Sequence, residues 1–210
     1  AGLGAQTPEV CGNIKFDVSP AAEKLALGEG WRQAIGRRQA SRISNSSPSR
    51  VLVPRHPQRF AEVAALLGQQ GWAWQRRSEG LPTEDVSVWL GDSMGEMAAY
   101  YRLADLAFVG GSLLPLGGQN LIEAAACDCP VIVGQHTFNF LQATDDAITV
   151  GAACRISDVD SLAERVGNLL ANPEALSTMR RAAGDFARAH RGATRRTLAF
   201  IAQWTDRAGR

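Results

Sequence analysis

The sequence is short of the groups that usually announce chemistry. Its 210 residues include three histidines and four cysteines. Cys127-Asp128-Cys129 is a C-x-C pair with no second pair to face it, which argues against the common zinc frameworks, and Cys11 and Cys154 stand alone. All four read as reduced, partly buried thiols of a cytosolic compartment. There is no P-loop and no strand-first G-x-G-x-x-G, which argues against a P-loop NTPase and a dinucleotide fold. A net charge of +1 provides no field for nucleic acid, and the pairs Arg37-Arg38, Arg76-Arg77 and Arg195-Arg196 read as solvated surface charge. No apolar run is long enough to span a bilayer, and residues 1–10 lack a signal-peptide pattern. The opening AGLGAQTPEVCGNIKFD reads as the middle of a longer chain.

What is present is an alternation of short apolar runs with helical patterns. The length fits a single domain over 1–210, and 45% apolar residues suffice for a core that folds unaided. Strands are expected at 50–56, 72–76, 86–90, 106–111, 130–134 and 152–156. Between them, 57–71 places Phe60, Val63, Ala64 and Leu67 at helical spacing and ends on Gly71, while 96–104 and 139–150 read as helices. Helices over 158–171, 173–190 with Pro173 in its first turn, and a final one within 191–210 close the chain. Continuous apolar strands separated by helices imply an α/β fold, a doubly wound parallel sheet covered on both faces. Ligands of such sheets bind beyond the carboxyl ends of the strands. That rule selects the loops at 54–56, 91–96, 110–118 and 134–139 before any motif is named.

Those loops have unusual contents. PRHPQRF puts Arg55 just past a strand between Pro54 and Pro57, where a phosphate or carboxylate can be gripped. GDSMGEM sets Gly95 and Glu96 at a helix start, whose free amides suit an anion, although Glu96 also fits as a plain first-turn acid. In GSLLPLGGQNLIEAAA, Gly117-Gly118 lets a ligand approach the backbone, admitting a phosphate, and Asn120 and Glu123 share one helix face. That pair fits two readings: a reciprocal capping box, or a carboxylate accepting from ribose hydroxyls. GQHTFNF carries His136 and Asn139, with Phe138 and Phe140 read as packing residues. No nucleophile or general base emerges.

Taken together, GNIKFD (12–17), LVPRHPQRF (52–60), LGDSMGEM (90–97), LADLAFVGGSL (103–113) and GGQNLIEAAACDCPVIVGQHTFNF (117–140) resemble the carboxyl-terminal half of the 3-deoxy-D-manno-oct-2-ulosonic acid (Kdo) transferases. The resemblance runs in order along nearly the whole chain. It implies a GT-B glycosyltransferase with two Rossmann-like domains. This half would bind the donor CMP-Kdo. The other half, outside this chain, would hold the lipid A precursor, the membrane-associating surface and the carboxylate base, at the cytoplasmic side of the bacterial inner membrane. By that resemblance Pro54 and Arg55 meet the CMP portion, Gly95, Glu96 and Met97 meet the nucleotide, and Asn120, Leu121, Ile122 and Glu123 form the N-x-x-E block, with Glu123 as the ribose carboxylate. Ser112, Gly117, Gly118, His136 and Asn139 are candidate further contacts. No cofactor and no metal are implied, and this half alone would not turn over. Two other readings fit the same loops: a GT-B enzyme that uses a UDP-sugar, and a nucleotide-binding domain without activity. The family also carries a strand, an acidic loop and a helix ahead of the PRHP strand. Here 36–50 reads GRRQASRISNSSPSR, so about thirty residues are expected to be wanting, by the usual length of a strand plus helix.

Overall fold

The computed structural model describes residues 17–40 and 50–208, with only the backbone of 37–40 and 203–208. Its order is α1 (Ala22–Ala40), β1 (Arg50–Leu52), α2 (Phe60–Gln69), β2 (Trp74–Arg76), β3 (Val88–Leu90), α3 (Met97–Leu103), β4 (Ala107–Phe108), α4 (Leu121–Ala125), β5 (Val131–Val133), α5 (Leu141–Thr149), β6 (Ala153–Arg155), α6 (Val159–Leu170), α7 (Pro173–Ala189) and α8 (Ala193–Ala208). Every expected strand is present, trimmed at its ends. The strands are parallel throughout and flanked by helices, as their continuous apolar runs require.

Among the described residues, the six strands do not all pair with one another. They form two three-stranded sheets, ordered β1-β3-β2 and β4-β5-β6. In the first, Val51 and Gln75 both lie opposite Trp89; in the second, Ile132 sits between Phe108 and Cys154. Both central strands, β3 and β5, are buried along their whole length. Strands β1 and β4 are each paired on one side, and Leu52 and Phe108 at their ends are 43% and 37% exposed. The segment where the resemblance places a further strand, 41–49, lies outside the described residues.

Local chemistry sets the helix limits. The α2 helix follows a 3-10 turn at Pro57–Arg59 and stops at Gly71, which adopts φ +70° while the Trp72 amide donates to the Leu67 carbonyl. Asp158 and Ser161 cap α6 reciprocally. Asn172 accepts from the Ala175 amide at 3.0 Å, with Pro173 in the first turn of α7. Helix α1 was not foreseen. Its apolar residues do not form a stripe, yet Trp31 is buried against Trp89 and Tyr100, with ring centroids 5.1 and 5.3 Å away. The approach of α1 to α3 depends on Gly28, where a Cβ would come within 2.4 Å of the Ala99 carbonyl oxygen.

Each sheet has its own core. Trp31, Trp89, Tyr100 and Leu103 form one cluster on the first sheet, and Ala64, Leu67, Val88 and Leu90 another. Leu121, Ile122, Val131, Val133, Phe186 and their neighbours fill the second. Full burial of each large side chain stabilises by about 1.5–3 kcal/mol relative to exposure. The two cores therefore orient the loops at the carboxyl ends of the strands.

Candidate functional site

Arg55 leaves β1 exposed on its loop, beside half-buried Pro54. Its guanidinium donates to the Gln119 side-chain oxygen, and Gln119 follows the double glycine. One hydrogen bond thus spans the loops of the two sheets. Asn120 caps α4, accepting the Ile122 amide at 3.0 Å. Its own side-chain amide donates to Glu123 Oε1 at 3.1 Å. Glu123 does not return to the Asn120 backbone, so the pair is not a reciprocal box. Its second oxygen meets no donor among the described residues. That leaves a half-buried carboxylate with a free acceptor at a helix start. Leu121 and Ile122 are 1% and 0% exposed and point into the core, so of these two only the backbone can meet a ligand.

Gly95 adopts φ +74° with open space where a Cβ would stand, and Met97 is half-buried at the start of α3. Glu96 is the residue before that helix but does not cap it. Its carboxylate accepts from Arg77 Nη2 at 3.2 Å and from the Ser93 hydroxyl at 2.5 Å, and Ser93 meets the Tyr100 hydroxyl at 2.7 Å. Arg77 lies 4.7 Å over the Trp31 ring. The expectation of a solvated Arg76-Arg77 pair is therefore wrong. Both stand at the end of β2, where the next loop brings acids to them: Arg77 takes Glu96, and Arg76 reaches Asp92 at 3.4 Å. Asp92 also accepts from the amide and hydroxyl of Ser78, at 2.9 and 2.7 Å. Burial alone would raise its pKa, but these donors outweigh it and hold the carboxyl below the usual value. The sequence analysis gives Asp92 no role of its own and takes Arg77 for surface charge, although the strand-end rule that selected Arg55 also fits Arg77.

Ser112 is fully buried, and its hydroxyl is spent internally. It donates to the Val109 carbonyl at 2.6 Å and accepts from the Gly134 amide at 2.8 Å. Gly117 and Gly118, at φ +87° and +72°, are buried. The expectation that they open space for a phosphate is corrected on the Cβ side. A Cβ on Gly117 would meet Asn139 Nδ2 at 2.3 Å and a Phe138 ring carbon at 2.6 Å. The glycines let two loops close on each other, with the Asn139 amide donating to the Gly117 carbonyl at 3.2 Å. Asn139 is exposed and His136 half-buried, its amide donating to the Ser112 carbonyl at 2.8 Å. Phe140 packs on the core as expected, but Phe138 is 60% exposed on the loop rim, with Leu114 and Leu116 also exposed. The carboxyl ends of the strands thus bring together Arg55, Gln119, Asn120 and Glu123 by direct bonds, and lace the 110–118 loop to the 134–139 loop. Among the described residues no group of three or more His, Cys, Asp and Glu converges to hold a metal, and no helix is long and apolar enough to cross a membrane.

Comparisons with known proteins bear on the family and the fold. Residues 69–186 match the family described as Glycosyl transferases group 1. The chain is 44% identical, over 96% of its length, to the 3-deoxy-D-manno-octulosonic acid transferase of Bordetella pertussis, and 40% identical, over 94%, to that of Haemophilus influenzae. It spans about half the length of these relatives, 53% and 52%. The first alignment runs over 225 positions while taking in 96% of this 210-residue chain, so about two dozen positions of the relative face gaps here. Among solved structures, the C-terminal CMP-Kdo binding domain of WaaA from Acinetobacter baumannii is similar, with a TM-score of 0.63 and 31% identity over 80% of this chain and 84% of that one. The chain belongs to the group 1 glycosyltransferases, among the relatives of the Kdo transferases.

Proposed function

We propose that this chain is the donor-binding half of an enzyme that transfers Kdo from CMP-Kdo to a lipid A precursor in lipopolysaccharide synthesis. The observation that carries the reading is the convergence of Arg55 from the first sheet with Gln119, Asn120 and Glu123 of the second at the strand-end crevice. The solved domain whose printed description is CMP-Kdo binding is similar over most of both chains, which supports the same ligand.

In this reading the Arg55 guanidinium faces the CMP phosphate and stabilises charge as CMP leaves. The free oxygen of Glu123 accepts from a ribose hydroxyl, while Asn120 holds the other oxygen and so sets the orientation of the carboxylate. Glu96 contributes through its backbone and that of Gly95 and Met97, because its carboxylate is committed to Arg77 and Ser93. An acceptor hydroxyl attacks the anomeric carbon of Kdo, a base takes its proton, and CMP departs. The base, the lipid acceptor and the membrane contact belong to the other half of the enzyme, at the cytoplasmic face of the bacterial inner membrane.

Isothermal titration of the chain with CMP, then UMP, then CMP against Glu123→Ala tests the proposal. CMP binding preferred over UMP and weakened about tenfold or more in the variant is the expected result, since one charge-assisted hydrogen bond accounts for about 1.5–3 kcal/mol. Preference for UMP, or no effect of the substitution, would refute it.

A further inference from the structure

We infer that Arg155, at the end of β6, is a positioning residue of the donor site: it fixes the 134–139 loop against the double glycine. The inference rests on the donor reading above. Arg155 Nη1 donates to the Thr137 hydroxyl at 3.1 Å and to the Gln135 carbonyl at 3.2 Å, with the Gly134 carbonyl at 3.5 Å. Nη2 donates to Asp145 Oδ1 on α5 at 2.8 Å. One planar fork therefore ties three pieces of chain: the last strand, the loop after β5 and the helix after that loop. Thr137 is 4% exposed, so its hydroxyl is tied where water does not readily compete.

The bonds continue from this loop to the site. His136 donates from its amide to the Ser112 carbonyl at 2.8 Å, and Asn139 from its amide to Gly117 and from its side chain to the Leu116 carbonyl at 3.4 Å. The next residues after Gly117-Gly118 are Gln119, which holds Arg55, and Asn120, which holds Glu123. Arg155 closes this lacing from the far side without being one of the residues placed against the ligand. A lysine has the charge but not the fork; a point ammonium cannot serve Asp145 and the loop acceptors together. The outer side of Arg155 opens on a cavity of about 650 Å³ that Ser157 and Arg165 also line. Shortening the side chain therefore leaves space that water enters, not a dry void in the core, and the fold should withstand it.

The test compares the wild-type chain with Arg155→Ala and Arg155→Lys, reading CMP affinity by titration and amide hydrogen exchange along the backbone. Both variants are expected to bind CMP about tenfold more weakly, as small displacements of binding groups do. Faster exchange should be confined to 116–118 and 135–139, and added guanidinium ion should restore affinity in Arg155→Ala but not in Arg155→Lys. Affinity within about twofold of wild type, or exchange that rises through β4, β5 and β6 alike, would overturn the inference. If Arg155→Ala does not fold, Arg155→Lys carries the comparison. If the wild-type chain binds no CMP, the donor reading fails separately, and the exchange pattern still decides whether Arg155 positions the loop.

Discussion

Replacing Ser112 with alanine removes one oxygen and, with it, the link between the ends of β4 and β5. The wild-type hydroxyl donates to the Val109 carbonyl at 2.6 Å and accepts the Gly134 amide at 2.8 Å, in a site that is 0% exposed. Each buried bond contributes about 0.5–1.5 kcal/mol net. The alanine variant also removes the acceptor of the buried Gly134 N–H. An unsatisfied buried donor costs about 1–3 kcal/mol, which overlaps the loss of its own bond, so the sum is about 2–3 kcal/mol. For a chain of this size that lowers Tm by about 4–12 °C. Urea unfolding of Ser112→Ala should shift the midpoint with the slope unchanged. CMP affinity measured well below the transition should change less than stability does, since the hydroxyl is committed to the protein. A loss under about 0.5 kcal/mol, the range of neutral surface changes, would mean that the buried bonds do not carry the role assigned to them.

Three more outcomes follow from the same structure. Gly28→Ala and Gly30→Ala, two positions apart on α1, should move stability in opposite directions by thermal melts. A Cβ at Gly28 meets the Ala99 carbonyl oxygen at 2.4 Å and costs about 1–3 kcal/mol, whereas Gly30 has nothing within 4 Å and should gain up to about 1 kcal/mol in helix propensity; equal signs would refute the α1–α3 packing. Asp17 accepts from the side chain and amide of Thr194 and the amide of Gly192 at the start of α8, which lowers its pKa from 3.8 to about 2. A depressed carboxyl stabilises above its unfolded value, so this contribution is complete above about pH 4 and is lost as pH falls toward 2; urea midpoints of Asp17→Asn should fall less than wild type over that window, and parallel curves would sink the assignment. Burial pushes the thiols of Cys127 and Cys129 up to about 12, so alkylation at pH 8 followed by mass spectrometry should label them only on unfolding, and native labelling at a free-thiol rate would contradict their burial.

Much of this was legible in the sequence, for local reasons. Pro173, Gly71 and the apolar runs marked their elements because each acts within one turn or one strand. The strand-end rule found the Arg55 and Asn120–Glu123 loops because parallel topology alone determines where loops gather. What escaped needed a partner far along the chain. Helix α1 has no apolar stripe and is held by Trp31 finding Trp89 and Tyr100. Arg77 looked solvated until Glu96 arrived from another loop. The double glycine looked like room for a ligand, but Asn139 and Phe138 occupy its Cβ side. Arg155 gave a weak signal that could have been followed, a lone cation closing an apolar strand. The order of the strands gave none, since periodicity reports a strand but not its neighbours.

The two sheets have a consequence for cooperativity. With separate cores and no strand pairing between them among the described residues, the halves are joined mainly through α3, α4 and side-chain ties such as Arg102 to Asp128 and Arg180 to the Ala104 carbonyl. If the two cores open separately, the weaker one exchanges its amides without waiting for the other. The crevice lies on the seam, with Arg55 on one bank and Glu123 on the other. A nucleotide spanning it would fuse two melting units into one, so bound ligand should sharpen the unfolding transition as well as raise it.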